Sequence, residues 1–184
     1  KVNVADLWQA KDINLITDAD FKKKVEYGKE LVAHTAKYLG PNGSVKQLSN
    51  GLNCQNCHLE AGAKPWGNNY FGVAALYPKF RARSGGMESI AKRVNDCFQR
   101  SLNGKGIDST SKEMKAIIAY MEWLGTNIPK GAKVGGTGIR DIAFLDRAAD
   151  PEKGKTRPAV RRRCRASATG LAGSHRDRAG RQHA

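Results

Sequence analysis

Five residues, Cys54-Gln55-Asn56-Cys57-His58, constrain this chain more than any other stretch. Cys-x-x-Cys-His is the attachment pattern of a c-type haem. Two thiols about one helical turn apart can each add to a vinyl group of one porphyrin, and the adjacent imidazole then reaches the iron from the proximal face. Two other uses of Cys-x-x-Cys fit less well. A zinc site needs two further ligands at comparable spacing, and the remaining cysteines, Cys97 and Cys164, stand far apart. A redox dithiol of the thioredoxin kind needs a βαβ context that the flanks do not supply. The motif therefore predicts one covalent haem c, held by Cys54, Cys57 and His58.

At 184 residues the chain is long enough for one domain and a small appendage. No stretch approaches the roughly 20 apolar residues of a membrane span. The start, Lys1-Val2-Asn3-Val4-Ala5-Asp6, has neither an initiator Met nor an apolar signal core, and is read as a mature or trimmed N-terminus. Covalent haem attachment takes place outside the cytoplasm, so the expected location is the periplasm. The formal net charge of +15 is uneven: residues 151–184 carry ten Lys or Arg against two acidic side chains, leaving +7 for residues 1–150. For the body, a small anionic substrate or an acidic redox partner is the more economical reading of that charge; nucleic acid is not favoured.

Patterning predicts helices. Thr17-Asp18-Ala19-Asp20 can cap one that runs through Phe21, Val25, Gly28, Leu31, Val32 and Thr35 to Leu39, with Gly40-Pro41 as its stop. Gly28 lies mid-helix, where it costs about 1 kcal/mol relative to Ala unless a close helix crossing offsets it. A loop follows to Asn53, and the haem motif is placed on a short helix, Leu52 to Ala61. Gly62 to Gly86 is read as irregular, with aromatic residues to wall the porphyrin edge and with Arg81 and Arg83 near its end. A helix is expected from Met87 to Leu102, and a last one from Ser109-Thr110-Ser111 to Leu124, with Glu113 closing a capping box on Thr110. Residues 131–140 read as a Gly-rich linker, Ile139 to Ala148 as a strand or short helix, and residues 156–184 as a basic disordered tail.

The occupant of the second iron face decides the function. Met87, Met114, Met121, His34, Cys97, a lysine and an open position are the candidates. Met114 and Met121 lie on the apolar face of the last helix and read as core. Met87 opens a helix and stays in contention. Cys97 is the sharper candidate, because Arg93, Arg100 and Ser101 fall on its side of the helix at i−4, i+3 and i+4. Cationic and hydroxyl-bearing surroundings favour a thiolate, the form that binds metals and acts as a nucleophile.

The motifs are those of a known family. After Cys-x-x-Cys-His come Tyr77-Pro78-x-Phe80-Arg81-x-Arg83 and Arg93-Val94-Asn95-Asp96-Cys97-Phe98-x-Arg100-Ser101-x-Asn103-Gly104. Over about the first 155 residues this resembles the thiosulfate dehydrogenases, the tetrathionate-forming c-type cytochromes. The resemblance implies a haem held by His58 and the thiolate of Cys97, and the joining of two thiosulfate ions with release of two electrons. It places Arg83, Arg93 and Ser101 at substrate-binding positions and makes Cys97 the sulfur that transiently bonds substrate. Two fixed guanidiniums suit a small dianion. The family usually carries a second Cys-x-x-Cys-His domain. Here its introductory segment, Ala148-Ala149-Asp150-Pro151-Glu152-Lys153-Gly154-Lys155, is followed by Arg-rich sequence with Cys164 alone. That turn is read as a frame shift or truncation, with a natural basic tail as the alternative.

The expectation is an all-α cytochrome c-like domain over residues 17–130. An extension over 1–16 precedes it; a linker and the start of a missing second domain over 131–155 and the basic tail follow. Its function would be thiosulfate oxidation to tetrathionate with electrons passed to another cytochrome. A one-haem electron-transfer protein without substrate turnover is the alternative.

Overall fold

The computed structural model describes residues 8–140, 142–148 and 150–155. The basic tail over 156–184, Cys164 and the first residues of the chain lie outside these. The chain divides into two compact units, Lys1–Asp141 and Ile142–Ala184.

In the first unit, Asp18 accepts hydrogen bonds from the amides of Asp20 and Phe21 and so starts α1 (Ala19–Ala33). The helix expected to reach Leu39 is interrupted at His34 (φ −126°, ψ 43°), beyond which α2 (Thr35–Leu39) resumes. The Thr35 hydroxyl, fully buried, donates to the Leu31 carbonyl at 2.7 Å and supports that break. The cysteine motif does not form the expected helix from Leu52 to Ala61. Its Cys54–Asn56 stretch is one 3-10 turn, and α3 (Leu59–Gly62) contains two left-handed residues, Glu60 (φ 55°) and Ala61 (φ 54°). Gly62 continues that turn at φ 81°, and a Cβ there would overlap the ring of Tyr70. The short α4 (Val73–Leu76) follows.

Fold class departs from all-α in one place. Strands β1 (Lys79–Arg81) and β2 (Gly86–Glu88) form an antiparallel hairpin with Phe80 opposite Met87. Met87 is therefore on a strand, and α5 (Ile90–Arg100) starts later than expected, at the cap Ser89, whose hydroxyl accepts from the Lys92 amide. Likewise α6 (Lys112–Leu124) is capped by Ser111, not Thr110; the Thr110 hydroxyl binds Asp108 instead.

The core forms where α1 crosses α6. Val25, Leu31 and Val32 of α1 meet Met114, Ile117, Tyr120 and Leu124 of α6, all of them buried. Gly28 sits at the closest approach. A Cβ there would overlap the Ala116 carbonyl oxygen and lie 2.8 Å from Cβ of Tyr120. The close crossing that offsets a mid-helix glycine thus runs over Ala116 and Tyr120.

Tyr27 ties the same two helices at the surface, donating its hydroxyl to Glu113 at 3.1 Å. Burial, reinforced by the Glu113 carboxylate, pushes the phenol up to about 12. A group whose pKa rises on folding contributes stability that is complete below its unfolded value of ~10 and is lost as pH climbs through the folded one. Denaturant unfolding between pH 9 and 12 should therefore show an alkaline fall in stability, and Tyr27→Phe should make that fall shallower.

Two segments read as peripheral pack onto this frame. Trp8 donates its indole N–H to the Leu124 carbonyl at 3.0 Å and meets Phe71 edge-on. The Gly-rich stretch after Gly131 returns to the loop after the cysteine motif. The amides of Trp66 and Asn68 donate to the carbonyls of Gly136 (2.7 Å) and Gly138 (2.9 Å), and Gly67 pairs with Ile139. Residues 134–139 are a strap bonded to the domain, where the composition reads as linker.

In the second unit, residues 142–148 form neither strand nor helix. The helix α7 (Pro151–Lys155) is capped by Asp150, which accepts from the amides of Glu152 and Lys153. Among the described residues no helix is long and apolar enough to cross a membrane.

Candidate functional site

A cavity of about 380 Å³ opens beside α5, within the range of cofactor clefts. Cys54, Cys57, His58 and Cys97 all line it, on walls that are mostly apolar: Val32, Val94, Phe98 and Ile117 among them. The donor set and the apolar lining come from segments far apart in the chain.

His58 is oriented from behind. Its Nδ1 lies 2.5 Å from the carbonyl oxygen of Asn68, which can only accept, so Nδ1 carries the hydrogen and Nε2 keeps its lone pair. The ring stacks on Tyr70 with centroids 4.4 Å apart. Burial, together with the Arg93 charge, lowers the His58 pKa despite the Asn68 carbonyl and so favours the neutral imidazole, the form that ligates metals. Asn68 is itself held by the strap, through its amide to Gly138, and Thr137 and Gly138 join the cavity wall. No local pattern could announce that brace, because its two halves lie about seventy residues apart.

On α5, Arg93, Cys97 and Ser101 fall at successive i, i+4 positions and all three line the cavity. Arg100, expected on the same face, is exposed and outside the lining. Arg83 lies in the exposed turn of the hairpin, also outside the lining, whereas Arg81 lines it. The other candidates for the second iron face separate clearly. Met87 is 62% exposed on β2, His34 is exposed at the break after α1, and Met114 is fully buried in the core; none of the three lines the cavity. Met121 does line it, although helical spacing alone reads it as core. The sulfurs facing this space beyond the attachment pair are thus Cys97 and Met121.

Residues 44–129 match the family model described as SoxA/TsdA, cytochrome c domain. The chain carries a SoxA/TsdA-type cytochrome c domain. It is 38% identical over 144 residues to a thiosulfate dehydrogenase of Psychrobacter arcticus, an alignment that covers 76% of this chain and 40% of that protein. A thiosulfate dehydrogenase of Stutzerimonas stutzeri is 34% identical over 131 residues, covering 71% of this chain and 41% of its own. The chain therefore spans about two-fifths of the length of these relatives. The fold matches the solved thiosulfate dehydrogenase TsdBA from Marichromatium purpuratum with a TM-score of 0.72 at 21% identity, over 83% of this chain and 33% of that one.

Cytochrome c domains carry haem through thioether bonds, and the residues of this SoxA/TsdA-type domain fit that group. Two thiols and a neutral imidazole meet at one apolar cavity. The thiols are not equivalent: Cys57 is exposed, while Cys54 is half-buried against Thr35. Thr35 Oγ1 accepts the Cys54 amide hydrogen at 3.0 Å and lies 3.2 Å from Cys54 Sγ. Its own hydrogen goes to Leu31, which leaves the thiol as donor to the hydroxyl. Thr35→Val, nearly the same shape without the hydroxyl, should yield a mixed product in which a sizeable fraction of haem is linked through Cys57 alone. Thr35→Ser should restore two thioethers. The pyridine haemochrome spectrum and intact mass distinguish the two products.

Proposed function

We propose that this domain oxidises thiosulfate to tetrathionate at a haem held by His58 and the thiolate of Cys97, and hands the electrons to another cytochrome in the periplasm. The observation that carries this reading is the placement of Cys97, Arg93 and Ser101 around the same cavity as His58 and the attachment cysteines. The curated relatives named thiosulfate dehydrogenase support it.

Arg93 binds and orients a thiosulfate dianion through paired, charge-assisted hydrogen bonds. Ser101 offers a hydroxyl donor to a sulfonate oxygen, and Arg83, at a position matching the family's motif, draws anions toward the mouth. Cys97 is the nucleophilic sulfur. Its Sγ forms a disulfide-type bond to the outer sulfur of one thiosulfate as two electrons leave. A second thiosulfate then attacks that outer sulfur, releases tetrathionate and returns the thiolate, so charge and atoms balance. The haem, when bound, supplies the one-electron sink that conducts those electrons outward. The apolar wall of Val94, Phe98 and Ile117 keeps water from competing for the same anion sites.

Steady-state reduction of an artificial acceptor by the haem-loaded chain, dependent on thiosulfate, tests the activity. A weak near-infrared thiolate-to-iron band in the oxidised protein tests the ligation. A methionine-type band in its place, with no thiosulfate turnover, would favour the one-haem electron carrier, with Met121 as the sulfur that lines the cavity.

A further inference from the structure

Arg81 is a second arginine lining the cavity that Arg93 lines. Arg83, two residues along the hairpin, turns outward into solvent. Arg81 has a distinct neighbour behind it: Glu88 of β2, only 2% exposed. The Glu88 carboxylate is shared between two cations, with the Ser84 hydroxyl also beside it. Oε1 takes the ammonium of Lys92 at 3.4 Å, and Lys92 also reaches Asp96 at 3.5 Å. Oε2 is buried without a hydrogen-bond partner and lies 3.9 Å from Nε of Arg81.

A buried carboxylate oxygen left bare is unfavourable unless a nearby cation compensates it. Here that cation is approached on its Nε side. A guanidinium held by Nε still has its terminal pair of nitrogens, the pair that forms a two-pronged bond to an oxyanion. Among the described residues, Glu88 is the only carboxylate within 4.0 Å of Arg81. A lysine at position 81 could not do both, because its single ammonium would be claimed by the carboxylate.

We propose that Glu88 is a positioning residue that holds Arg81 by Nε, so that Arg81 and Arg93 together bind the dianionic substrate beside Cys97. The inference rests on the thiosulfate reading above and adds to it the second substrate-binding arginine and the residue that aims it. A pair of guanidiniums in one cavity would also select dianions over monoanions, since a single charge satisfies only one of them.

The test uses the haem-loaded chain in two forms. In the turnover-competent chain, Arg81→Ala should raise KM for thiosulfate about ten- to a hundred-fold while kcat and the haem spectrum stay within about twofold, the loss expected for one charge-assisted contact. Glu88→Gln, which keeps shape and removes charge, should raise KM by about fivefold with the same split. In a Cys97→Ala background, where no turnover competes, calorimetry with thiosulfate should show binding that Arg81→Ala and Glu88→Gln weaken by the same factors. Arg81→Lys keeps the charge but deletes Nε, so it reads the same contact should Glu88→Gln fail to load haem; it too should weaken binding. Unchanged binding in Arg81→Ala would overturn the assignment of Arg81. Weakened binding in Arg81→Ala but not in Arg81→Lys or Glu88→Gln would overturn the positioning role. Absence of thiosulfate binding with both arginines intact would instead sink the thiosulfate reading itself.

Discussion

Cys97→Ala should leave haem attached through Cys54 and Cys57 and should abolish the proposed tetrathionate formation. Attachment survives because both thioether sulfurs and the His58 brace through Asn68 are independent of α5. Alanine is also the best helix former, so α5 loses no propensity. In the proposed mechanism turnover should disappear because one sulfur is asked to do two things: complete the iron coordination and bond the first thiosulfate. Loss of a nucleophile of this kind lowers kcat by roughly a thousandfold or more. The near-infrared thiolate band should vanish in the same variant, and the reduction potential should rise as the electron-rich ligand is lost. Retained turnover with a lost band would separate ligand from nucleophile and assign Cys97 only the first role.

Gly28→Ala should destabilise the domain strongly. Helix propensity alone predicts the opposite sign, a gain of about 1 kcal/mol. Close packing decides against it. The added methyl would overlap the Ala116 carbonyl oxygen and crowd Cβ of Tyr120, both on the facing helix, so neither can rotate away. Overpacking costs typically about 1–3 kcal/mol, and against rigid backbone it falls at the upper end, above the propensity gain. Thermal and denaturant unfolding of the haem-loaded chain should both shift to lower values. A stabilised Gly28→Ala would mean that α1 and α6 do not cross at Ala116.

These two positions also show what could be read ahead of the structure. The cysteine motif, the Arg93–Cys97–Ser101 face of α5 and the start of α1 were legible because each is local: a spacing, a period, a cap. Gly28 was legible as a crossing because a mid-helix glycine needs a reason. The hairpin was not. Lys79 to Glu88 is too short and too polar to show a two-residue alternation, and Met87 looked like the opening of a helix. The strap over residues 134–139 read as linker because its glycines are locally indistinguishable from those of a flexible tether; what holds them is the loop at Trp66–Asn69, remote in sequence. For the same reason Arg81 and Arg83 looked alike in the motif. Strand alternation puts two residues of the same parity on one face only while the strand lasts, and β1 ends at Arg81. Thr35 gave a weak signal as a helix residue and none as a partner of Cys54, since the break at His34 is what brings them together.

The most direct test of the central claim counts product against electrons. The haem-loaded chain is given thiosulfate and a measured amount of a one-electron acceptor under anaerobic conditions, and tetrathionate is quantified. One tetrathionate is expected for every two acceptors reduced, with none formed by Cys97→Ala. Acceptor reduction without tetrathionate, or the same yield from Cys97→Ala, would contradict it.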